Sequence, residues 1–320
     1  MQLRRLGQTD IHVSSVAMGC WPITGITTLD AIREESVKTI EAAIDNGINF
    51  LDTAYAYGIE GESEQMIGEV IKACRDKIVI ATKGGIHRVG KGQDYDATPE
   101  TLRRECDESL QRLNTDRVEL YYLHAPDPKV SITESAGAIA ELIAAGKVLS
   151  AGASNLNLEQ LQEFHAVCPI TAVQPHFNML QQEIERDIAP WCRANQISLC
   201  VYWPLMKGLL AGKLSRDHKF DPADGRAKYP MFQGEEWQKN QDFIDDLKTI
   251  AAEQDLTVAQ LVIAWTIAQP GITSALCGAK RDWQIRETAE AMSVELEQET
   301  LNKIAESLKR RGPAASRGAV

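Results

Sequence analysis

The sequence lacks the features that mark membrane-spanning, secreted and nucleic-acid-binding proteins. Its longest mostly apolar run, LTVAQLVIAWTIA at residues 256–268, is shorter than the ~20 residues that a membrane-spanning helix needs. The first ten residues, MQLRRLGQTD, contain no apolar signal-peptide core. Lys and Arg total 34 against 45 Asp and Glu, and the net charge of −11 provides no overall basic surface. We therefore expect neither membrane nor nucleic acid as a partner, and expect a small molecule instead.

Paired cysteines are also absent. The seven cysteines are an odd number and are scattered without any C-x-x-C pair. Such a set is typical of a reducing compartment, so we expect a cytoplasmic protein.

Several site motifs are incomplete. MKGLLAGKL (206–214) has three residues between Gly208 and Gly212, and Leu214 follows the lysine, so a phosphate-binding P-loop is not predicted. GGIHRVGKG (84–92) does not fit the dinucleotide pattern G-x-G-x-x-G. No H-E-x-x-H or other paired ligand spacing occurs, and we expect no metal site.

What the chain does contain is a regular alternation of two kinds of segment. Eight short runs rich in Val, Ile and Leu read as strands: 15–19, 48–52, 77–82, 118–123, 148–154, 171–174, 198–203 and 274–278. Between them lie amphipathic helical stretches, among them 34–47, 63–74, 98–114 and 132–146. Eight strands alternating with helices predict an α/β fold, a closed (β/α)8 TIM barrel.

Three pieces lie outside this alternation. Residues 2–13 read as a β-hairpin that caps the barrel. Residues 212–236 lack apolar periodicity and are predicted to be a functional loop, with Arg226 as a candidate phosphate contact. Residues 309–320 read as a flexible tail, so we expect a single domain over residues 1–308.

Polar side chains stand at the ends of consecutive strands. Because active sites of such barrels lie at the carboxyl ends of the strands, these residues are expected to meet. They are Asp52, Tyr55 and Tyr57 after the second strand, Lys83 after the third, His124 after the fourth, Ser154 and Asn155 after the fifth, Gln174 after the sixth, and Tyr202 and Trp203 after the seventh.

An acid, an ammonium, a phenol and an imidazole together suit proton delivery to an oxygen that gains negative charge. A phenol has a pKa near ~10, and a neighbouring ammonium lowers it. Lys83 is expected to act in this way while Asp52 holds it, and a neutral His124 donates a hydrogen bond to a carbonyl oxygen. Carbonyl reduction by hydride creates such an oxygen. None of these side chains supplies a hydride, so a nicotinamide cofactor is needed.

At these residues the chain resembles the aldo-keto reductase family, including its open-loop bacterial members. The resemblance covers about residues 1–308. Seven segments carry it: GINFLDTAYAYG (47–58), IVIATKGG (78–85), LYYLHAPD (120–127), SAGASN (150–155), AVQPHFN (172–178), YWPLMKGLLAGK (202–213) and CGAKRDWQIRE (277–287).

The resemblance implies a catalytic tetrad of Asp52, Tyr57, Lys83 and His124, with Tyr57 and not Tyr55 as proton donor. It also implies that NADP(H) is bound. The nicotinamide end would be held by Ser154, Asn155, Gln174 and Tyr202, the pyrophosphate by Pro204, Leu205, Gly208, Leu210 and Lys213, and the adenosine end by Gly278, Ala279, Lys280, Arg281, Gln284 and Glu287. Lys280 and Arg281 are expected near the 2′-phosphate, although such a pair is also compatible with an ordinary solvated surface.

Three positions depart from the family pattern. Thr288 replaces a usual Asn and removes one expected adenine contact, and Phe177 replaces a usual Tyr. Trp203 replaces a small residue and is either core packing or pocket wall. None of these changes affects the implied tetrad.

We therefore predict an NADPH-dependent reductase of small aldehydes, ketones or sugars, acting in either direction. Candidate substrate-wall residues are Trp21, Tyr55, His87 and Trp203, since each lies just past a strand. Two alternatives stay open: a Schiff-base lyase that uses Lys83 as nucleophile, and a cofactor-sensing binding protein without turnover. The sequence identifies neither the substrate nor the oligomeric state.

Overall fold

The structure is a computed structural model that describes residues 3–26, 30–89 and 92–315. Residue 2 of the predicted hairpin and residues 316–320 of the predicted tail lie outside this range. Twelve strands lie within it: Arg4–Arg5 (β1), His12–Val13 (β2), Val16–Gly19 (β3), Phe50–Asp52 (β4), Val79–Gly84 (β5), Ile86–Val89 (β6), Gly92–Tyr95 (β7), Leu120–Leu123 (β8), Ala151–Ser154 (β9), Ile170–Gln174 (β10), Ser198–Tyr202 (β11) and Ile272–Gly278 (β12).

Eight of these strands form a closed parallel barrel, which confirms the predicted (β/α)8 fold. Around the barrel the order is β3, β4, β5, β8, β9, β10, β11 and β12, and β12 returns to pair with β3. At this closing seam Ala275 pairs with Val16 and Gly278 with Gly19. All eight predicted strands are barrel strands, since their Val- and Ile-rich runs are buried on both faces.

Helices surround the barrel: Arg33–Asp45 (α1), Glu62–Val70 (α2), Pro99–Leu113 (α3), Ile132–Ala144 (α4), Leu158–Val167 (α5), Ile188–Ala194 (α6), Gly234–Ala252 (α7), Val258–Ala268 (α8), Asp282–Glu290 (α9) and Gln298–Arg311 (α10). Capping residues determine where several of these helices begin. Thr98 caps α3 with Pro99 at its first position, and Ser131 and Glu134 form a reciprocal capping box on α4. None of the described helices is both long and apolar enough to cross a membrane.

The amino-terminal hairpin closes one end of the barrel. β1 and β2 pair antiparallel, and Leu6 and Val13 are fully buried against interior residues such as Phe50. Arg4 fastens the hairpin by donating to the carbonyls of Ile267 and Ile272 at 2.8 and 2.9 Å.

Two segments differ from the sequence prediction. The predicted loop 212–236 contains 3-10 turns over Gly225–Lys228 and Pro230–Phe232, and α7 already begins at Gly234. The last helix, α10, continues to Arg311, beyond residue 308, where the flexible tail was predicted to begin. The reason is Arg311, whose buried side chain bonds Glu236 and Asn240 on α7.

Candidate active site

A buried lysine lies at the centre of the carboxyl end of the barrel. Lys83 is fully buried, and its Nζ lies 2.7 Å from Asp52 Oδ1, 2.7 Å from the Thr53 carbonyl and 3.3 Å from the Tyr57 hydroxyl. β5 carries Lys83 and β4 carries Asp52, so two neighbouring strands bring the ion pair together. The structure thus joins three of the four predicted tetrad residues by direct polar contacts.

The electrostatics of this cluster follow from burial and from one fixed cation. Burial lowers the pKa of Lys83, but Asp52 and Tyr57 outweigh it, and the pKa lies above its ordinary value. Burial raises the pKa of Asp52, with Lys83 and Gln174 acting against it. For Tyr57, burial raises the pKa and Lys83 only partly offsets this. The sequence predicted that Lys83 lowers the pKa of Tyr57, and Lys83 does act in that direction. The larger effect of burial nevertheless leaves the pKa of Tyr57 above its ordinary value.

His124 is the fourth member of this cluster. Its ring centre lies 5.9 Å from that of Tyr57 in an edge-on arrangement. Burial, followed by the charges of Lys83 and Arg88, lowers the pKa of His124 well below its ordinary value. The imidazole is therefore neutral at pH 7 and carries one ring N–H that can be donated.

The polar residues of the neighbouring strands form a connected chain of hydrogen bonds. Gln174 donates to Asp52 Oδ2 at 2.7 Å, and the Ser154 hydroxyl donates to the Gln174 carbonyl at 2.8 Å. Asn155 donates to the His124 carbonyl at 2.9 Å and accepts from the Tyr202 hydroxyl at 2.9 Å. All the polar residues predicted at the ends of β9 and β10 are thus linked to the lysine cluster.

The segment that follows β11 is a tight turn with unusual backbone. Trp203, Lys207 and Gly208 have positive φ angles of 57°, 56° and 88°. The Lys207 ammonium lies 4.0 Å from the Trp203 ring centre and 4.7 Å from that of Tyr229. This segment also holds the predicted residues Pro204, Leu205 and Leu210, of which Pro204 and Leu210 are buried. Lys207 and Tyr229 are parts of the site that the sequence reasoning did not single out.

Arg226 joins this segment to the loop before α7. Its guanidinium pairs with Asp224 at 2.7 Å and donates to the Lys207 carbonyl at 3.4 Å. The predicted phosphate contact is thus already charge-paired within its own loop.

A second cluster of cations surrounds the start of α9. Gln284 accepts from the backbone N–H groups of Lys280 and Arg281 at 2.9 and 3.2 Å, and Arg281 donates to the Asp30 carbonyl at 3.0 Å. Lys213 pairs with Glu287 at 2.6 Å. Gly278 packs closely, since a Cβ there would lie 2.8 Å from Pro22. The predicted adenosine-end residues therefore lie together at one helix N-terminus, where basic side chains suit a phosphate.

Two predicted substrate-wall residues lie elsewhere. The Tyr55 hydroxyl donates to Glu108 at 2.6 Å, and Arg112 lies 4.2 Å from its ring centre, so Tyr55 faces α3. His87 also faces α3, with Nδ1 3.4 Å from Glu105 Oε1. Loop and hairpin geometry, which the sequence did not specify, turns both side chains toward α3.

The other two wall candidates do lie near the cluster. The Trp21 ring meets Tyr57 edge-on with ring centres 5.0 Å apart. Trp203 lies edge-on to Tyr202 at 5.6 Å and to His176 at 6.2 Å. Next to Trp21 lies Arg88, whose guanidinium is 4.9 Å from the indole centre. The sequence reasoning missed Arg88, and the only signal that pointed toward it was its neighbour His87.

Comparison with known proteins adds independent information. The model of the Aldo/keto reductase family matches residues 15–309. The chain is 34% identical over 313 residues to the aldo-keto reductase YhdN of Bacillus subtilis, covering 96% of this chain and 94% of that protein. It is 32% identical over 324 residues to the NADH-specific methylglyoxal reductase of Escherichia coli, covering 95% and 98%.

A solved structure supports the same conclusion. The glycerol dehydrogenase of Gluconobacter oxydans superposes with a TM-score of 0.91 at 32% sequence identity, and the match covers 99% of this chain and 98% of that one. The similarity therefore extends over the whole barrel, including the strand ends that carry the cluster around Lys83.

Proposed function

This chain belongs to the aldo/keto reductase family of oxidoreductases, and we propose that it reduces small aldehydes, ketones or sugars with NADPH, or runs the reverse reaction. The observation that carries the proposal is the contact of Lys83 with both Asp52 and the Tyr57 hydroxyl. That arrangement suits an oxygen that must receive a proton while it gains charge.

We assign the proton-donor role to Tyr57. Burial keeps its pKa above the ordinary phenol value, so the phenol is protonated at neutral pH and ready to donate. Once the proton leaves, the Lys83 ammonium at 3.3 Å stabilises the phenolate, and Asp52 keeps that ammonium charged. Neutral His124 donates to the substrate carbonyl and orients it beside Tyr57.

The residues at the strand ends suit a nicotinamide dinucleotide. Amide and hydroxyl groups of Ser154, Asn155 and Gln174 match a carboxamide, and the Tyr202 ring offers a flat face. The N-terminus of α9 with Lys280 and Arg281 suits the phosphorylated end. When bound, the reduced cofactor supplies the hydride.

The preference for NADPH over NADH is part of the proposal, and the name of the E. coli relative shows that relatives differ in this respect. Lys280 and Arg281 favour a dianionic 2′-phosphate through charge-assisted hydrogen bonds. Replacing Lys280 by Met is expected to raise KM for NADPH about tenfold or more and to leave KM for NADH unchanged. Arg286→Met, which removes an exposed arginine of α9, the helix that follows Lys280, is the control. An equal effect on both cofactors would remove the preference from the proposal.

The decisive experiment follows NADPH absorbance with short aldehydes, hydroxyaldehydes and sugars, comparing the wild type with Tyr57→Phe. We expect turnover by the wild type, and a loss of kcat of about 10²–10⁴ in the variant while NADPH still binds. NADPH binding without turnover in the wild type would favour a cofactor-sensing binding protein. Full activity in Tyr57→Phe would overturn the assignment of the proton donor.

The Schiff-base alternative has a separate test. Lys83 is charged, fully buried and bonded to three oxygen atoms, which does not suit a free amine nucleophile. Borohydride reduction in the presence of a carbonyl substrate is expected to leave Lys83 unmodified; a covalent adduct on Lys83 would support the lyase.

A cytoplasmic location is also proposed. All seven cysteines are free thiols and six of them are buried, which suits a reducing compartment.

A further inference from the structure

The hairpin that follows β5 brings a charged residue to the active site. β5 carries Lys83, and two residues after its end the chain enters β6, which pairs antiparallel with β7. Ile86 is buried in a small cluster with Ala56 and Ala125, so this side of the hairpin packs beside the loop that carries Tyr57.

Strand alternation directs His87 and Arg88 to opposite sides. His87 faces Glu105 on α3, whereas Arg88 lies on the same side as Ile86. Its Nε donates a long hydrogen bond of 3.4 Å to the Ala56 carbonyl, next to Tyr57. Its guanidinium stacks 4.9 Å from the centre of the Trp21 ring, and Trp21 itself meets Tyr57 edge-on. Trp21 therefore contacts both the Arg88 cation and the ring of Tyr57.

Arg88 has no carboxylate partner and makes only one long hydrogen bond within the part of the chain that the structure describes. Arg4 and Arg281 also lack a carboxylate, but each donates to two backbone carbonyls at 2.8–3.0 Å. The other described arginines that are half-buried or buried have a carboxylate partner. Arg75 pairs with Glu119 at 3.0 Å, and Arg112 with Glu64 at 3.3 Å. Arg311 pairs with Glu236. Among the described residues, no carboxylate oxygen lies within 4.0 Å of the Arg88 side chain. In a chain with a net charge of −11, such a guanidinium beside the catalytic cluster suggests that its anion arrives with a ligand.

We propose that Arg88 binds a carboxylate carried by the substrate, so that the preferred substrates are short oxo acids with a carbonyl and a carboxylate on one chain. The inference rests on the proposed reductase function and specifies its substrate class. A carboxylate has two coplanar oxygens and one charge, which match two parallel N–H groups of one guanidinium. A phosphate monoester carries about −1.5 to −2 charges, more than the single charge of one guanidinium neutralises.

Trp21 positions Arg88 next to Tyr57 in this arrangement. Its face holds the guanidinium by a cation–π contact, and its ring meets the ring of Tyr57 at an interplanar angle of 73°. A substrate that reaches both Arg88 and Tyr57 passes along this indole, which favours a short aliphatic link between carboxylate and carbonyl.

The test compares 4-oxobutanoate with its methyl ester and with butanal, for the wild type, Arg88→Met and Arg88→Lys. We expect the wild type to prefer the acid, and Arg88→Met to lower kcat/KM for the acid about 10- to 100-fold, mostly through KM. The ester and butanal are expected to change less than twofold, and Arg88→Lys to restore part of the loss. Arg103→Met removes an exposed arginine of α3 and is expected to leave all three rates unchanged.

The outcomes separate this inference from the reductase proposal. Equal use of acid and ester by the wild type, or equal losses for both in Arg88→Met, overturns the role of Arg88 while the reductase stands. A preference for a phosphorylated aldehyde over 4-oxobutanoate overturns the choice of carboxylate. If no compound is reduced, the role of Arg88 is tested by the binding of butanoate to the NADPH complex, measured by Trp fluorescence. Arg88→Met is expected to weaken this binding, and unchanged binding in the variant would overturn the inference. Thermal melting of each variant shows whether Arg88→Met is folded. If it is not folded, the comparison of acid and ester in the wild type still tests the inference.

Discussion

The two ends of the barrel interior differ sharply although the same strands build both. At the amino end β4 contributes Phe50, and two residues later it contributes Asp52. β5 passes from Val79 and Ala81 to Lys83 in the same way. Both ends are buried, but one is an apolar plug closed by Leu6, and the other is an ion pair. The comparison teaches that a two-residue step along a strand separates the part that stabilises the fold from the part proposed to act on the substrate.

Removing the cation at the polar end gives the largest expected effect. Lys83→Met is expected to lower kcat/KM about 10³-fold or more, because Tyr57 loses the charge that stabilises its phenolate. It also leaves Asp52 buried without a cation, at a cost of about 3–5 kcal/mol in unfolding free energy.

The double variant Lys83→Met with Asp52→Leu makes the polar end resemble the apolar one. We expect urea unfolding to show most of the stability regained, since apolar replacement of a buried ion pair is often neutral. Steady-state assays are expected to show no regained activity. Recovery of turnover in the double variant would contradict the division of roles between the two ends.

At the apolar end, Leu6→Ala is expected to lower the unfolding free energy by about 3 kcal/mol, because Leu6 is fully buried under the hairpin. Urea denaturation measures this loss. Since Leu6 lies at the opposite end from Lys83, kcat and KM are expected to stay within about twofold of wild type. A large change of KM in the folded variant would show that the two ends are coupled.

Glu105 provides the most specific test, with the smallest expected effect on activity, because it is a buried carboxyl without a lysine beside it. Burial raises the pKa of Glu105 to about 8 from an ordinary 4.5. Between these pH values the unfolded chain releases the proton and the folded chain keeps it, so this group's stabilisation is complete below pH 4.5 and is lost as pH rises through 8. Glu105→Gln is expected to remove that loss, which is roughly 1.4 kcal/mol for each pH unit between pH 5 and 8.

Unfolding curves of wild type and Glu105→Gln at the two pH values measure this effect. At pH 8.5 the variant is expected to have a higher free energy of unfolding than the wild type, and at pH 5 it is expected to lose this advantage. A parallel pH dependence of the two proteins would show that Glu105 is ionised in the fold.

The barrel was predictable from sequence because its strands are continuous apolar runs. KIVIAT and SLCVYW carry apolar residues on both faces, a pattern typical of buried parallel strands. The hairpin of β6 and β7 was not predicted, since GQDY is polar and exposed and gives no apolar alternation. The end of α10 was misplaced because the partners of Arg311 lie far away in sequence, on α7.

The candidate site was predictable to the extent that strands determine it. Lys83 and Asp52 end adjacent strands, so topology alone brings them together. Tyr55 and His87 lie in a loop and a hairpin, where one residue of register reverses the side-chain direction. Arg88 was missed for the same reason, because only the side-chain contacts show that Arg88 faces Trp21 and His87 faces Glu105.

The seam between β3 and β12 also has a consequence for biosynthesis. β3 leaves the ribosome about 250 residues before its partner strand, Ile272–Gly278. At about 5–20 residues per second, one edge of the growing sheet stays unpaired for tens of seconds. Arg4, which binds the carbonyls of Ile267 and Ile272, must wait as long. Ring closure therefore waits for the synthesis of β12, and the nascent chain presents an open sheet edge until that strand is made.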